Sequence, residues 1–232
     1  MLEIDRHLWI AQQPLRFFGV EVGTRMTIIR LEDNSLVLIS PIKINSQLQQ
    51  EINSLGTVKY LVAPNLFHHL YLAPAQQLYP DALIIAPPGL KAKQPNLNLD
   101  RVFTRDTIEF TGEIEHTLLT GFQAFVPPKI AAVNEIAFYH LRSKTLIITD
   151  SAFNFDRSFP TVTQLVARII GSYGVLKPSW LEKIAVQNKP ELKEAIERVL
   201  QWDFKRVIMA HGQIVETDAK QQLAKAYQWL LE

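Results

Sequence analysis

Four residues of types that bind transition metals follow apolar, strand-like runs of the sequence. His68 and His69 follow one such run within five residues, and Asp150 and His211 each come directly after another. In layered α/β proteins, loops at the carboxyl ends of strands gather polar groups around ligands and metals. Imidazole and carboxylate groups are suitable ligands for zinc or iron. The spacing therefore predicts a metal site at strand ends.

Each of these residues also has a purely structural explanation. Adjacent histidines diverge on a helix or strand, so His68 and His69 can converge only from a loop or a helix start. Asp150 could cap the turn that follows it, and His211 could belong to a turn whose next residue is glycine. Glu135 could be an exposed strand residue, an acceptor that fixes a histidine tautomer, or a substitute ligand.

The composition is that of an ordinary globular protein. The chain has 232 residues, of which 47% are hydrophobic and 20% are charged, enough for one large domain over residues 1–232. Its 24 basic and 23 acidic residues are mixed along the chain, and no basic run favours nucleic acid as a partner. The expected partner is a small-molecule substrate or ligand.

The absence of cysteine restricts the chemistry further. Without cysteine there is no disulfide, thiolate nucleophile or sulfur-ligated metal, which leaves nitrogen and oxygen ligands. No signal-peptide pattern is visible at the N-terminus, and no apolar run reaches the roughly 18 residues that span a bilayer. We therefore expect a cytoplasmic protein without a membrane partner.

Hydrophobic periodicity predicts two successive groups of strands with helices around them. The helices are predicted at 45–56, at 70–78 and three times in the last 75 residues, where apolar residues from Val162 to Ile170 form one stripe. We predict an α+β fold, a four-layer αββα sandwich. The predicted strands are 8–10, 17–22, 26–31, 36–41, 58–63, 82–86, the strand-like stretch 102–119, 134–141, 144–149 and 206–210.

This order of elements and motifs resembles the metallo-β-lactamase fold. That family carries a His-x-His-x-Asp-His signature after an early strand, and Ala-Pro-Asn-Leu-Phe-His-His stands in its place here. The first two signature histidines fall on Pro64 and Leu66, the aspartate falls on His68, and the third histidine matches His69. The resemblance is greatest to divergent members of the fold found in cyanobacteria and plant plastids.

The resemblance implies a degenerate metal site that holds one ion. Asp150 matches the family's bridging aspartate and His211 matches its final His-Gly motif. One of the family's two metals takes three histidines, all of which are missing here. The other metal's ligand positions map to His68, His69, Asp150 and His211, so the resemblance implies one zinc or iron ion, with Asp150 and His69 as catalytic residues.

Two functions remain open from the sequence. The first is a mononuclear metal-dependent hydrolase, in which the ion lowers the pKa of a bound water toward neutrality. The second is a catalytically inactive scaffold of the same fold that binds a small molecule or a protein partner. Both require His68 or His69, Asp150 and His211 to lie within roughly 3 to 6 Å of one another.

Overall fold

Two main β-sheets form the centre of the protein. A computed structural model describes residues 1–104, 110, 112–126 and 129–232. Within them, one sheet has the strand order β1-β2-β5-β6-β7-β8-β9 and the other has the order β10-β13-β14-β15. The strands are β1 (Leu2–Asp5), β2 (Leu8–Gln13), β3 (Arg16–Phe17), β4 (Val20–Glu21), β5 (Thr24–Arg30), β6 (Ser35–Ile39), β7 (Thr57–Val62), β8 (Leu83–Ala86), β9 (Arg101–Val102), β10 (Ile114–Leu119), β11 (Gln123–Val126), β12 (Lys129–Ala132), β13 (Glu135–His140), β14 (Thr145–Ile147) and β15 (Arg206–Ile208).

Helices cover the outer faces of both sheets. Apolar side chains of α1, α2 and α3 pack on the seven-stranded sheet, and those of α6, α7 and α8 pack on the four-stranded sheet. A third apolar cluster lies between the sheets and joins residues such as Ile29 and Val37 to Phe138 and Ile208. The helices are α1 (Ser46–Leu55), α2 (Leu72–Leu78), α3 (Leu90–Lys93), α4 (Thr161–Ile170), α5 (Trp180–Ala185), α6 (Lys189–Gln201), α7 (Ala219–Ala226) and α8 (Gln228–Leu231).

This layering confirms the predicted αββα sandwich. The predicted strands 26–31 and 36–41 form the antiparallel pair of β5 and β6, and the predicted strands 134–141 and 144–149 form the antiparallel pair of β13 and β14. The first helix is capped as its sequence indicates, since the Asn45 side chain accepts a hydrogen bond from the Leu48 amide at 2.8 Å. The four layers place the carboxyl ends of β7, β14 and β15 at one edge of the sandwich.

Two predicted segments and one unpredicted helix differ from the sequence analysis in detail. The predicted strand 17–22 is instead a separate short hairpin of β3 and β4. The strand-like stretch 102–119 contains β9 and β10, while residues 105–109 and 111 lie outside the described part of the chain. Helix α5 was not predicted, although Ser179 and Glu182 form a capping box at its start.

The apolar stripe of α4 does not face the core. Val162, Leu165 and Ile169 are 61%, 58% and 63% exposed, whereas the buried residues of the helix are Thr163 and Ala167. Periodicity correctly predicted the helix. It could not indicate which face the rest of the chain would cover.

Within the described residues, no helix is both long enough and apolar enough to cross a membrane.

A buried histidine on β13 should make stability depend on pH. Burial, with help from the charge of Arg142, lowers the pKa of His140 from 6.5 to about 4. As pH falls, the unfolded chain therefore binds this proton before the folded protein does. The free energy of unfolding should therefore fall by about 3 kcal/mol as the pH is lowered from 6.5 to about 4. Urea unfolding across this pH range measures the loss, and His140→Gln should reduce it. If the free energy of unfolding of the His140→Gln variant depends on pH as steeply as that of the parent chain, this assignment is wrong.

Candidate metal centre

Three loops at one edge of the sandwich bring His68, Asp150 and His211 together. His68 lies in the loop after β7 of the larger sheet. Asp150 and His211 follow β14 and β15, which are parallel neighbours in the smaller sheet. Parallel neighbours end at the same edge, so the two side chains meet there, and the facing sheet contributes the third. The site thus lies where the two sheets meet.

The side chains of these three residues form a small triangle. His68 Nε2 lies 3.2 Å from His211 Nε2 and 3.4 Å from Asp150 Oδ2, and His211 Nε2 lies 3.4 Å from the other carboxylate oxygen, Asp150 Oδ1. A tetrahedral ion with bonds of 2.0 to 2.1 Å holds its ligands about 3.3 Å apart. One ligand atom from each residue gives three atoms that all lie within 4.8 Å of one another, so the group could hold a metal ion.

Backbone and hydroxyl groups fix the orientation of both imidazole rings. His211 Nδ1 donates to the carbonyl oxygen of Gly23 at 2.5 Å, because a carbonyl can only accept. In the neutral ring, Nε2 then carries the free lone pair that a metal needs. His68 Nδ1 pairs with Ser40 Oγ at 2.8 Å, and Ser40 has the unusual backbone angle φ 57°.

Asn65 connects the first loop to Asp150. Its amide group donates to Asp150 Oδ2 at 2.7 Å and to Thr149 Oγ1 at 3.0 Å. Its carbonyl oxygen accepts from the backbone amides of Phe67 and His68, both at 2.8 Å. This fully buried side chain thereby sets the conformation of the His68 loop and the position of the carboxylate at the same time.

Glu135 supports Asp150 from below the site. Its fully buried carboxylate accepts from the backbone amides of Thr149, Asp150 and Ser151 at 2.9, 2.6 and 3.0 Å, and from Ser151 Oγ at 2.7 Å. These bonds hold the turn that presents Asp150. Glu135 is therefore not an exposed strand residue, and it contacts the turn rather than a histidine. A role as a substitute metal ligand stays a prediction.

The turn that carries His211 is held by Arg25 and by a close backbone contact. Arg25 Nη2 donates to the Gly212 carbonyl at 2.8 Å, and Nη1 donates to the Met209 carbonyl. Burial lowers the pKa of Arg25 to about 10, which still leaves it charged at neutral pH. Gly212 has φ 99°, and a Cβ there would lie 2.4 Å from the Asn154 carbonyl oxygen, so this position requires glycine.

Buried charges act on one another in this site. Burial would raise the pKa of Asp150, yet the neighbouring His68 and His211 hold it well below its usual range. Burial would likewise lower the pKa of His68, but the charge of Asp150 outweighs it and raises that pKa. Burial and the charge of Asp150 both raise the pKa of Glu135. The site is therefore organised around the ionised carboxylate of Asp150, which suits a cation.

His69 lies outside this group of ligand atoms. Among the described residues, three of the four predicted ligands lie together: His68, Asp150 and His211. The loop after β7 therefore contributes His68 to the group and not His69. Burial and the charge of Lys93 lower the pKa of the half-buried His69. A ligand or catalytic role for His69 stays a prediction.

Sequence reasoning missed the residues that orient the ligands. Gly23, Arg25 and Ser40 act through a carbonyl, a guanidinium and a hydroxyl that come from the distant N-terminal sheet, and no local pattern reveals such contacts. Asn65 and Glu135 did carry a signal, because each is a polar residue at the end of an apolar run and needs a buried partner.

Replacing Asn65 should weaken any metal binding without removing a ligand. Asn65→Ala deletes the amide that holds Asp150 and the acceptor of two backbone amides. Such supporting groups typically contribute 10- to 100-fold in metal affinity, so we expect a loss of roughly that size. Competition with a chelating dye measures it, and Asn53→Ala on α1 serves as the control. An unchanged affinity would show that Asn65 does not position the carboxylate.

Comparisons with known proteins support the fold and leave the activity open. A family model described as "Domain of unknown function (DUF4336)" matches residues 5–171. No curated protein matches the chain. At the low identities of the similar solved structures, the likeness confirms the predicted metallo-β-lactamase fold alone; the cyanobacterial and plastid branch stays a prediction.

Metallo-β-lactamases are among these structures, and three of them serve as examples. The enzyme from Pontibacter korlensis has a TM-score of 0.64 at 17% identity and covers 98% of this chain and 96% of its own. FIM-1 from Pseudomonas aeruginosa, in its mono-zinc form, has a TM-score of 0.59 at 9% identity with coverage of 100% and 96%. The protein from Hirschia baltica has a TM-score of 0.60 at 11% identity with coverage of 99% and 96%.

Proposed function

The chain belongs to the DUF4336 family, and we propose that it uses its metallo-β-lactamase fold to hold one zinc or iron ion and to hydrolyse a small-molecule substrate. His68, Asp150 and His211 would hold the ion. The observation that carries this proposal is the triangle of His68, Asp150 and His211, whose ligand atoms all lie within 4.8 Å of one another. The distances of 3.2 and 3.4 Å from His68 Nε2 to His211 Nε2 and to Asp150 Oδ2 are close to the ligand spacing of a tetrahedral ion.

Three protein ligands suit catalysis better than four. A structural zinc site is closed by four protein groups, whereas a catalytic site keeps one position open. Bound in this way, a zinc or iron ion lowers the pKa of a water molecule toward neutrality. The residues around it do the positioning: Gly23 and Ser40 orient the imidazoles, and Asn65 orients the carboxylate.

The family's second metal position lacks ligands in this chain. Pro64 and Leu66, which stand where its histidines would be, carry no side-chain donor atoms. Their backbone groups have other roles, since the Pro64 carbonyl accepts from the Ile136 amide at 2.7 Å and the Leu66 carbonyl accepts from Lys93 Nζ at 2.6 Å. An ammonium group at this loop also disfavours a second cation. The proposal is therefore a mononuclear site.

One observation favours the alternative of an inactive scaffold. The raised pKa of His68 beside Asp150 means that a protonated His68 can form an ion pair with the carboxylate. Such a pair balances the charge of the site without any ion. In that case the edge of the sandwich would bind a small molecule or a protein partner rather than perform hydrolysis.

Elemental analysis of protein purified without a histidine tag separates these two functions. One equivalent of zinc or iron per chain, retained through dialysis, is the expected result. Two equivalents would contradict the mononuclear site. No binding, even after reconstitution with Zn²⁺, Fe²⁺ and Mn²⁺, would reject the metal-dependent hydrolase in favour of the scaffold.

A further inference from the structure

Helices α4 and α5 present an exposed apolar face on one side of the molecule. Val162, Leu165 and Ile169 lie along one side of α4, at spacings of three and four residues. Trp180 and Ile184, which are 44% and 74% exposed, continue the surface on α5. Large apolar side chains scattered singly on a surface are ordinary, but a grouped stripe of this kind indicates a binding face.

A hydrogen bond joins the two helices. The indole Nε1 of Trp180 donates to the carbonyl oxygen of Ile169 at 3.0 Å, at the C-terminal end of α4. Helix α4 is attached to the body of the protein by its buried Ala167 and by Thr163, whose hydroxyl donates to the Glu21 carbonyl at 2.7 Å. Because Thr163 and Ala167 attach one side of α4 to the protein, the apolar stripe on the other side faces outward.

The charged residues of this stretch are mainly basic. From residue 157 to residue 184 the basic residues are Arg157, Arg168, Lys177 and Lys183. The acidic residue in the same stretch is Glu182, which is buried and accepts from the Ser179 amide at 2.8 Å. Burial raises the pKa of Glu182 well above its usual value, and the four basic residues outnumber this one acid in either protonation state.

Acidic groups beside this stretch do not change its sign. Asp156, which precedes it, accepts hydrogen bonds from the amide and hydroxyl of Ser158 at 2.9 and 2.6 Å. Glu21, on the hairpin that α4 contacts, stands opposite Arg16 in the strand pairing. The exposed face thus combines aliphatic and aromatic side chains with an excess of basic ones.

We propose that the face formed by Val162, Leu165, Ile169, Trp180 and Ile184, with its basic rim, docks on an anionic lipid bilayer. Helices that lie in a membrane interface have this composition, with Trp and aliphatic residues on one side and Lys or Arg beside them. Basic residues near the surface are attracted by anionic headgroups. Docking on a surface requires no spanning helix, and it is independent of the metal centre.

Charge disfavours a second copy of this chain as the occupant. A two-fold symmetric dimer through this face would place the same patch on both partners and so bring Arg157, Arg168, Lys177 and Lys183 near their own copies. Like charges across an interface oppose association. A bilayer that contains acidic lipid instead supplies the opposite charge and an apolar interior together.

Vesicle sedimentation tests the proposal. The full chain should sediment with phosphatidylcholine–phosphatidylglycerol vesicles and far less with phosphatidylcholine vesicles. The triple variant Val162→Ser, Leu165→Ser and Ile169→Ser should lose at least about tenfold in partition, since three exposed aliphatic side chains no longer insert. Leu2→Ser, at a 60% exposed position on β1, is the matched control and should bind like the parent chain.

A charge variant tests the basic rim separately. Arg157→Ser and Lys177→Ser should each reduce partition by roughly fivefold, and added salt should weaken binding of the parent chain. The proposal is overturned if the parent chain stays in the supernatant with acidic vesicles, or if the triple variant binds as well as Leu2→Ser. It is also overturned if the triple variant abolishes a dimer seen by light scattering while no variant changes vesicle binding.

Discussion

Replacing Asp150 or His211 with alanine should reduce zinc affinity by more than about 100-fold. Loss of a group that merely orients a ligand typically reduces affinity 10- to 100-fold, and loss of a ligand should exceed that. Both residues contribute an atom to the ligand triangle, and the third comes from His68. Isothermal titration with Zn²⁺ under chelator competition measures the affinities of the parent chain and the variants.

The neighbouring histidines of the first loop provide a matched pair of variants. His68→Ala should lose as much affinity as His211→Ala, because His68 Nε2 is 3.2 Å from His211 Nε2. His69→Ala should bind like the parent chain, since His69 lies outside the triangle. Equal losses from both histidine variants would instead support the four-ligand set implied by the family resemblance. Binding unchanged by Asp150→Ala would show that the metal sits elsewhere.

The architecture could be predicted because strand and helix periods are local properties. Alternating and continuous apolar runs identified the strands that carry the site, and loop residues such as Arg142 and Ser143 separated β13 from β14. The carboxyl ends of three such runs then indicated where polar groups would meet. That rule was enough to place Asp150 and His211 at one site.

The choice between His68 and His69 could not be predicted from spacing. Adjacent side chains in a loop point in different directions, and the conformation is set by Asn65, whose carbonyl oxygen accepts from the amides of Phe67 and His68. The resemblance to a known signature made both residues metal ligands and gave the catalytic role to His69. Asn65 also contacts Glu135 and Asp150, which lie 70 and 85 residues later in the sequence. Only the folded chain makes these contacts, and they determine that His68 rather than His69 points toward Asp150.

The exposure of the apolar face of α4 could not be predicted from the sequence either. The stripe from Val162 to Ile170 has the period of a core-facing helix. Periodicity reports that a face is apolar, whereas its burial depends on what the rest of the chain places against it. Here the chain covers Thr163 and Ala167 instead.

Replacing Glu135 with alanine should destabilise the fold by about 3 to 5 kcal/mol. The carboxylate accepts from three consecutive backbone amides and from the hydroxyl of Ser151, all in a buried position. Each buried donor left without an acceptor costs about 1 to 3 kcal/mol, and water entering the vacated space offsets part of the sum. Urea unfolding at neutral pH measures the change in the free energy of unfolding.

Two further variants separate this effect from the loss of any buried acid. Glu135→Gln keeps one acceptor oxygen but turns an amide group toward backbone donors, so about half of the loss should remain. Glu182→Gln is the matched control, because that buried carboxyl has a pKa well above its usual value and accepts from a single amide. It should change stability by less than about 1 kcal/mol, since the amide oxygen of the glutamine can still accept from the Ser179 backbone amide. Equal losses from Glu135→Ala and Glu182→Gln would mean that the turn presenting Asp150 is held by other contacts.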